Sequence, residues 1–423
     1  MVPRMGRRSH APRIACVCAI LAALAGCGSS VRSGVSARAS ADPGARPVPH
    51  TCSTAVLSTL GSVAMHIYHE GIASERTGSA ASIIAHSIAL REAVERDDPQ
   101  AARTAAQALI ASGQMTNLRV LRGGQVLADV GAAGALAPLH GSIRDAGGRS
   151  IGSYVTSVWA DNGLLQETDG ITEGVTALRA NGRSIAGSFA LGSGEPPPQG
   201  TLTVGGVAYA YTSFPASAYP SGQLRVYVLK ALAAIAPLCG TSATDTVVHT
   251  LSHVARLIYA GEGGARARLQ VHRVQSYQPL LRAVAARDPA AARLAIEQLL
   301  HEHVVRIRVS AGGQVLTDVG GPYVLAPVRA PLRLNGRRIG GLELSIQDDE
   351  GYKRLTQRLA GLDVLMYMGP RLVKNSLGPA PGAVPSSGSY HYRGRTFRVY
   401  TLHAAAFPSG PLRIVVLIPI PYS

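Results

Sequence analysis

Two histidines in the second half of the chain have a spacing that could hold a metal ion. His249 and His253 stand one helical turn apart, and His301-Glu302-His303 follows later. A metal site needs further ligands within reach, and no glutamate follows His249 in the His-Glu-x-x-His pattern of zinc hydrolases. The sequence therefore favours solvated histidines over a metal centre.

Catalytic motifs are missing from the sequence. It contains no Gly-x-Ser-x-Gly turn, no phosphate-binding loop, no Cys–His nucleophile and no paired carboxylates in a shared setting. The glycine pairs at 123–124 and 312–313 have the pattern of hairpin turns rather than of phosphate cradles. We therefore expect no enzymatic activity and no cofactor.

An aromatic side chain and a carboxylate lie close together in the first half. Trp159 is the only tryptophan of the chain, and Asp161 follows it by two residues. A planar apolar wall beside a carboxylate suits an amine or another cationic ligand. The alternative is that Trp159 packs in a core and Asp161 caps the helix that follows it.

An internal duplication organises the chain. Residues 123–131, Gly-Gly-Gln-Val-Leu-Ala-Asp-Val-Gly, return at 312–320 with eight of nine positions identical. The period is too long for a solenoid, whose repeats have about 20–50 residues, and each copy is long enough for its own hydrophobic core. The duplication predicts a first domain over 52–240 and a second over 241–423.

The N-terminus is typical of an exported protein. Residues 1–26 join arginines to an apolar stretch that is shorter than the about 20 residues of a membrane-spanning helix. The stretch ends in Leu-Ala-Gly followed by Cys27, which resembles the lipobox of bacterial lipoproteins, where the cysteine is acylated. An ordinary secretory signal is the alternative. We expect a lipid on Cys27, a flexible tether over 27–51 and a location on the extracytoplasmic face of the cell membrane.

Two further cysteines flank the first copy. Cys52 and Cys239 stand near its two ends, and the second copy has no counterpart of either. An oxidising compartment and the usual closeness of domain ends favour a disulfide between them. The alternative is a pair of separate buried thiols.

The positive charge is concentrated in the second copy. Residues 241–423 hold 22 basic and 11 acidic side chains, whereas residues 52–240 hold 12 and 13. Scattered arginines in an exported chain make nucleic acid a poor partner. An anionic ligand, an anionic envelope polymer or a phospholipid surface fits better, and a solvated basic surface is the alternative.

Helical patterns open each copy. Val56, Leu60, Val63 and Ile67 form one stripe of a helix, which we expect to continue to residue 94 with a break near 77–78. An Asp-Pro step at 98–99, repeated at 288–289, predicts the start of another helix.

Strand patterns follow in each copy. In the first copy they predict a hairpin of 117–121 with 125–130, a strand over 151–159, a short helix over 162–168 and closing strands over 175–180, 202–212 and 224–229. The order is that of an α+β fold, with one antiparallel sheet covered by helix on one face.

This order of elements resembles the Cache domain, the extracytoplasmic relative of the PAS fold. Residues 119–129 are similar to the first hairpin of many Cache sensors, and 148–152 and 336–340 resemble the strand entry after the pocket loop. The resemblance implies two tandem PAS-like domains, each with a long N-terminal helix packed on a central antiparallel sheet. It also implies a small-molecule pocket on the opposite sheet face.

The resemblance further implies where a ligand would be met: on the strand before the short helix, on that helix and on the next strand. These elements carry Tyr154, Trp159, Asp161 and Arg179 in the first copy, and Asp348, Asp349, Tyr367 and Arg371 in the second. Asp161 aligns with Asp349, which favours the helix-capping role for both.

The sequence thus predicts a lipid-anchored extracytoplasmic sensor that binds small molecules. Cache domains usually precede a kinase, cyclase or chemoreceptor region, and none is present in this sequence, so we expect a separate membrane signalling partner. A different class remains as the alternative: an envelope interaction protein whose basic second domain docks on anionic polymer or lipid.

Overall fold

The computed structural model describes residues 50–187, 195–261, 263–300, 304–379, 381–407 and 410–422. The expected signal peptide, the lipid site at Cys27 and nearly all of the expected tether lie outside the described residues. His301, Glu302 and His303 lie outside them as well.

Five helices occur in the same order in both copies, and the described part of the first copy has one further short helix and a 3₁₀ turn. In the first copy they are α1 (His50–His69), α2 (Glu75–His86), α3 (Ile88–Glu95), α4 (Pro99–Ala111), α5 (Asp161–Thr172) and α6 (Leu232–Ile235), followed by a 3₁₀ turn (Ala236–Leu238). In the second copy they are α7 (Ala243–Gly261), α8 (Ala265–Ser276), α9 (Gln278–Ala286), α10 (Pro289–Leu299) and α11 (Asp349–Ala360).

Strands occupy the remainder of each copy. The first contains β1 (Asn117–Arg122), β2 (Gln125–Gly131), β3 (Ala135–Leu136), β4 (Leu139–Arg144), β5 (Ser150–Ser157), β6 (Trp159–Ala160), β7 (Val175–Ala180), β8 (Arg183–Gly187), β9 (Gln199–Val204), β10 (Val207–Ala218) and β11 (Gly222–Ala231). The second contains β12 (Arg306–Ala311), β13 (Gln314–Gly320), β14 (Val324–Leu325), β15 (Val328–Leu334), β16 (Arg337–Ser345), β17 (Gln347–Asp348), β18 (Asp363–Met368), β19 (Arg371–Asn375), β20 (Gly388–Tyr392), β21 (Arg395–Phe407) and β22 (Gly410–Ile420).

Each copy builds two antiparallel sheets. In the first copy a small sheet has the order β2-β1-β5-β4, and a large sheet has the order β6-β3-β10-β11-β7-β8 with β9 added beside β10. The second copy repeats this as β13-β12-β16-β15 and β17-β14-β21-β22-β18-β19, with β20 beside β21. The predicted α+β class and the predicted long helix on an antiparallel sheet are confirmed, and the structure adds the second sheet.

Local sequence signals explain several boundaries. Asp98 caps α4, since its Oδ1 accepts hydrogen bonds from the backbone N–H groups of Gln100 and Ala101 at 3.0 Å each. The predicted break in the first helical region is displaced. It lies between α1 and α2, where Ser74 forms a capping box with Thr77, because this pair satisfies free N–H groups at a new helix start.

One predicted strand is two in the structure. The stretch 202–212 was expected to be continuous, but Gly205 and Gly206 adopt φ values of +57° and +81° and turn the chain between β9 and β10. Such positive φ values are open to glycine at little cost, so the pair makes a hairpin turn.

The small sheets have separate cores. Helices α2 to α4 cover one face of the first small sheet, where Ile84, Leu90, Leu118, Val120 and Tyr154 are buried together. Helices α8 to α10 cover the second small sheet in the same way. These two cores belong to one copy each.

The large sheets share a single core. Helices α1 and α5 of the first copy pack against α7 and α11 of the second, between the two large sheets. Leu60 on α1, Leu251 on α7 and Tyr352 on α11 are fully buried in this cluster. Burial of each such side chain stabilises the fold by about 1.5–3 kcal/mol, so the copies stabilise one another.

Ion pairs cross between the copies with a consistent polarity. The first copy supplies the acids and the second supplies the bases. The pairs are Glu75–Arg354 (3.0 Å), Glu167–Arg266 (3.1 Å), Glu173–His253 (2.9 Å) and Glu70–Arg358. The excess of basic residues in the second copy is therefore used in part at the contact between copies.

A disulfide joins the two ends of the first copy. Cys52 on α1 and Cys239 after the 3₁₀ turn are bonded, with their Cα atoms 5.6 Å apart. The predicted pairing is confirmed. Among the described helices, none is both long and apolar enough to cross a membrane.

Candidate functional site

Two arginines lie directly opposite each other on neighbouring strands of the first large sheet. The register of β7 and β11 pairs Arg179 with Arg225, and Leu178 with Val226. Leu178 and Val226 are buried in the shared core. Because side chains alternate along a strand, the two arginines point to the opposite face of the sheet, away from α1.

The two guanidinium groups have different surroundings. Arg179 is almost fully buried, and its Nη2 donates a hydrogen bond to the carbonyl oxygen of Gly182. Arg225 is more open. It lies 3.4 Å from Glu195 and donates to the hydroxyl of Ser213 at 3.2 Å.

A cavity of about 490 Å³ opens beside this pair. Tyr68, near the end of α1, and Ile72, in the turn after it, form part of its wall, together with Asn181. The Tyr68 hydroxyl accepts a hydrogen bond from the backbone N–H of Ser217 at 2.8 Å. Burial raises the pKa of Tyr68, so this hydroxyl stays neutral at physiological pH.

The cavity carries a net positive charge. Two like charges directly opposite on adjacent strands destabilise a sheet. Glu195 is the single acid among the described lining residues, and 61% of its side chain is exposed, so solvent screens its pairing with Arg225. Two guanidinium groups at one cavity, with one exposed acid among the described lining residues, are suited to an anionic group.

The second copy has changed the same position. Tyr367 stands where Arg179 stands, and the register of β18 and β22 pairs it with Arg413, the counterpart of Arg225. The Arg413 guanidinium lies 4.2 Å from the centre of the Tyr367 ring, a cation–π contact. Burial raises the pKa of Tyr367. The like-charge pair of the first copy is thus an attractive contact in the second.

The other residues predicted for the first site do not line this cavity. Tyr154 is buried in the core of the small sheet, where its ring covers Gly141. Trp159 packs against Gly71 and Ala137, and its Nε1 is buried without a hydrogen-bond partner in the described structure. Trp159 therefore lies against the turn after α1, at Gly71, the residue before Ile72.

Asp161 starts α5 but does not cap it with its side chain in the usual way. Its Oδ1 accepts from the backbone N–H of Asn162 at 2.7 Å, and its carboxylate lies against Gly134. The predicted helix-capping role is therefore wrong for both aspartates, Asp161 and Asp349. The N-cap of α5 is Ala160, without a side-chain cap hydrogen bond, and the N-cap of α11 is Asp348, which accepts from the backbone N–H of Gly351 at 2.7 Å.

The predicted residues of the second copy are dispersed. Asp349 starts α11, where burial raises its pKa while Lys374, at 3.3 Å, opposes that shift. Lys374 also contacts Glu350 at 3.2 Å. Arg371 is exposed on β19, opposite Met368. The structure therefore does not bring Asp349, Tyr367 and Arg371 together at one cavity among those described.

Sequence reasoning missed Arg225, Glu195 and Tyr68. Arg225 recurs as Arg413, so a comparison of the differences between the copies passes over it. One signal in the sequence could have found Arg225: it lies on a predicted closing strand, as Arg179 does. The register between those two strands, however, cannot be read from the sequence.

One histidine of the pair, His253, contributes to the contact between the copies. His253 lies on α7 with its Nε2 2.9 Å from the carboxylate of Glu173. Across the described ranges, no group of three or more His, Cys, Asp or Glu side chains is suited to hold a metal ion.

Comparison with solved structures finds periplasmic and ligand-binding domains with low overall similarity. The periplasmic domain of LuxQ from Vibrio cholerae is 13% identical with a TM-score of 0.28, over 40% of this chain and 96% of that domain. The ligand-binding domain of the chemoreceptor CtaA from Pseudomonas fluorescens, in complex with L-isoleucine, is 12% identical with a TM-score of 0.26, over 45% and 100%.

A third structure is an extracellular ligand binding receptor from Desulfohalobium retbaense, 11% identical with a TM-score of 0.24, over 42% of this chain and 39% of that one. No protein-family model matches the chain, and no curated protein matches it. Because all three TM-scores are below 0.5, we infer function from the geometry of this chain.

Proposed function

We propose that the chain is a non-enzymatic, extracytoplasmic sensor that binds a small molecule through a carboxylate group. The ligand lies in the cavity beside Arg179 and Arg225. The pair of like charges at this cavity carries the proposal. A planar carboxylate accepts two parallel hydrogen bonds from a guanidinium group, a geometry that a lysine could not offer.

The dimensions and polar groups of the cavity suit a metabolite. Its volume of about 490 Å³ falls within the about 300–1,000 Å³ of small-molecule sites. Tyr68 supplies a neutral hydroxyl and Asn181 an amide, while Ile72 and Pro215 supply apolar surface. Glu195 competes for Arg225 in the free protein and becomes a partner for a ligand amine when the carboxylate displaces it.

The proposal includes a lipid anchor, a tether and a separate output protein. In this proposal residues 1–26 direct export, Cys27 carries the lipid, and the chain from 28 to 49 connects the membrane to α1, which begins at His50. The ligand state passes to a separate membrane signalling protein. The ion pairs between copies are the contacts through which a change in the first copy would reach the second.

A binding experiment tests the site. The purified chain is screened by thermal shift against small carboxylic acids, amino acids among them, and against the matching amides. A ligand at 100 times its Kd stabilises the protein by about 2.7 kcal/mol, which is a measurable shift. Hits should be acids whose amides are inactive.

A matched pair of variants then locates the site. Arg225→Gln should weaken a hit by about tenfold or more, because it removes charged hydrogen bonds, while Arg413→Gln at the equivalent position should leave it unchanged. Equal effects of both variants, or a folded protein that responds to no carboxylate, would overturn the proposal.

A further inference from the structure

The small sheet of the second copy carries a groove of a different character. It lies on the face away from α8 to α10, is about 390 Å³ in volume, and is lined by side chains of β12, β15 and β16. Arg308, Arg329, Arg338 and Glu343 supply its charged groups. None of these residues contributes to the cavity of the first copy.

Charged residues distinguish this groove from the equivalent surface of the first copy. At four of its positions the first copy has an uncharged or apolar residue and the second has a group that makes strong hydrogen bonds. The paired positions are Leu121 and Ser310, His140 and Arg329, Ser150 and Arg338, and Val155 and Glu343. Two other groove positions change in the reverse sense, since Pro331 and Gly341 replace Ser142 and Ser153, so the net difference is the added charge of Arg329, Arg338 and Glu343.

The charged groups at the base of the groove hold one another in place. Glu343, whose side chain is 12% exposed, lies 3.6 Å from Arg308 and 3.1 Å from Arg329. Arg308 also contacts Asp318 at 2.8 Å and lies 5.4 Å from the Phe407 ring centre. These contacts fix the guanidinium groups before a ligand arrives, which lowers the entropy cost of binding.

The cationic surface continues to the end of the sheet. Arg333 and Arg338 are directly opposite on β15 and β16, and Arg337 is next to them at the turn. In the first copy, Asp145 neutralises the equivalent turn by pairing with Arg149 at 2.8 Å. Leu334 replaces that aspartate in the second copy, where the three arginines make no ion pair with any described residue.

We infer that this groove binds a linear polyanion with a phosphate or carboxylate on each repeat. The arginines follow a line from Arg308 to Arg337, which suits a chain better than a compact ligand. Arg308 and Glu343 lie at the base of a concave surface, which a flat membrane could not reach. This inference goes beyond the proposed small-molecule site and does not rest on it.

The test measures binding of the whole chain to three probes: a labelled linear polyphosphate, a labelled oligogalacturonate, and vesicles of phosphatidylglycerol with phosphatidylcholine. Polyphosphate and oligogalacturonate separate phosphate from carboxylate recognition. We expect at least one of them to bind, with an affinity that falls as salt rises because the contacts are ionic. Vesicles should bind more weakly than the preferred polymer.

Variants of exposed residues keep the test independent of folding. Arg329→Gln combined with Arg338→Gln should weaken polymer binding by about tenfold or more. The control, Arg144→Gln combined with Arg149→Gln, changes the hairpin of the first copy and should have no effect. Arg225→Gln should have no effect either, which separates this site from the carboxylate cavity.

Three outcomes would overturn the inference. The first is the absence of binding to both polymers at low salt. The second is an equal loss in the groove and control variants, which would indicate general charge attraction. The third is tight vesicle binding that the groove variants abolish while polymer binding persists, which would make the surface a membrane contact.

Discussion

Because the core between the large sheets is shared, the two copies should unfold together. Leu60 on α1 and Leu251 on α7 occupy equivalent positions, and both are fully buried in that core. Replacing either with alanine leaves a cavity at the contact between copies. If the core is one cooperative unit, Leu60→Ala and Leu251→Ala should each move a single transition by a similar amount.

The magnitude follows from the size of the unit. A buried leucine replaced by alanine costs about 2–5 kcal/mol. With an unfolding entropy of about 2.1 cal/mol/K per residue, a unit of roughly 370 residues should lose about 4 °C in Tm for about 3 kcal/mol, whereas one copy alone would lose about 7–8 °C. The enthalpy at Tm should be about 260 kcal/mol for the unit and about 130 kcal/mol for one copy.

Differential scanning calorimetry measures both quantities on the purified chain. Leu294→Ala is the control, because this leucine is 64% exposed on α10 and its loss should change Tm little. Two resolved transitions, with each core substitution moving only one of them, would refute the shared core. A single transition with a van't Hoff enthalpy near half the calorimetric value would refute it equally.

Two smaller changes test local packing and charge. Gly71→Ala places a Cβ 2.1 Å from Trp159 Cδ1 and should cost about 1–3 kcal/mol, while Gly78→Ala meets nothing within 4 Å in α2 and should stabilise by about 0.5–1 kcal/mol, both read from urea unfolding. Burial raises the pKa of Asp318, but hydrogen bonds from its two arginine partners outweigh burial and hold the pKa below the ordinary value. Its stabilising effect should be complete above about pH 4 and disappear as pH falls through the lowered pKa, so Asp318→Asn should cost about 1–3 kcal/mol at neutral pH and nothing in strong acid. A pH-independent difference between that variant and the parent would contradict this account.

Features that depend on near neighbours in the sequence were predictable. The first hairpin needs only a Gly-Gly turn between two strand patterns, and the start of α4 needs only Asp98 before a proline. The bond between Cys52 and Cys239 followed from their places at the two ends of a repeat.

Features that depend on register or on distant partners were not predictable. Arg179 and Arg225 are 46 positions apart, and their pairing depends on which residues of β7 and β11 face each other. A one-residue shift would turn either side chain to the other face. The stripe of Leu60 on α1 predicts a buried face, but not that another copy covers it. Short strands such as β3 and β6 have too few residues to show a periodic pattern.

The positions that differ between the copies suggest how each copy became specialised. At equivalent positions of the large sheets, the first copy has Arg179 and Arg225 at a cavity, while the second stacks Arg413 on Tyr367. On the small sheets the copies differ in the opposite sense, because the second copy has the charged groove. A duplicated fold whose copies had remained interchangeable would carry both features twice. The opposite changes at the two sheets are expected if the first copy binds a small ligand and the second binds a polymer, with the shared helical core holding the two sites in a fixed relation.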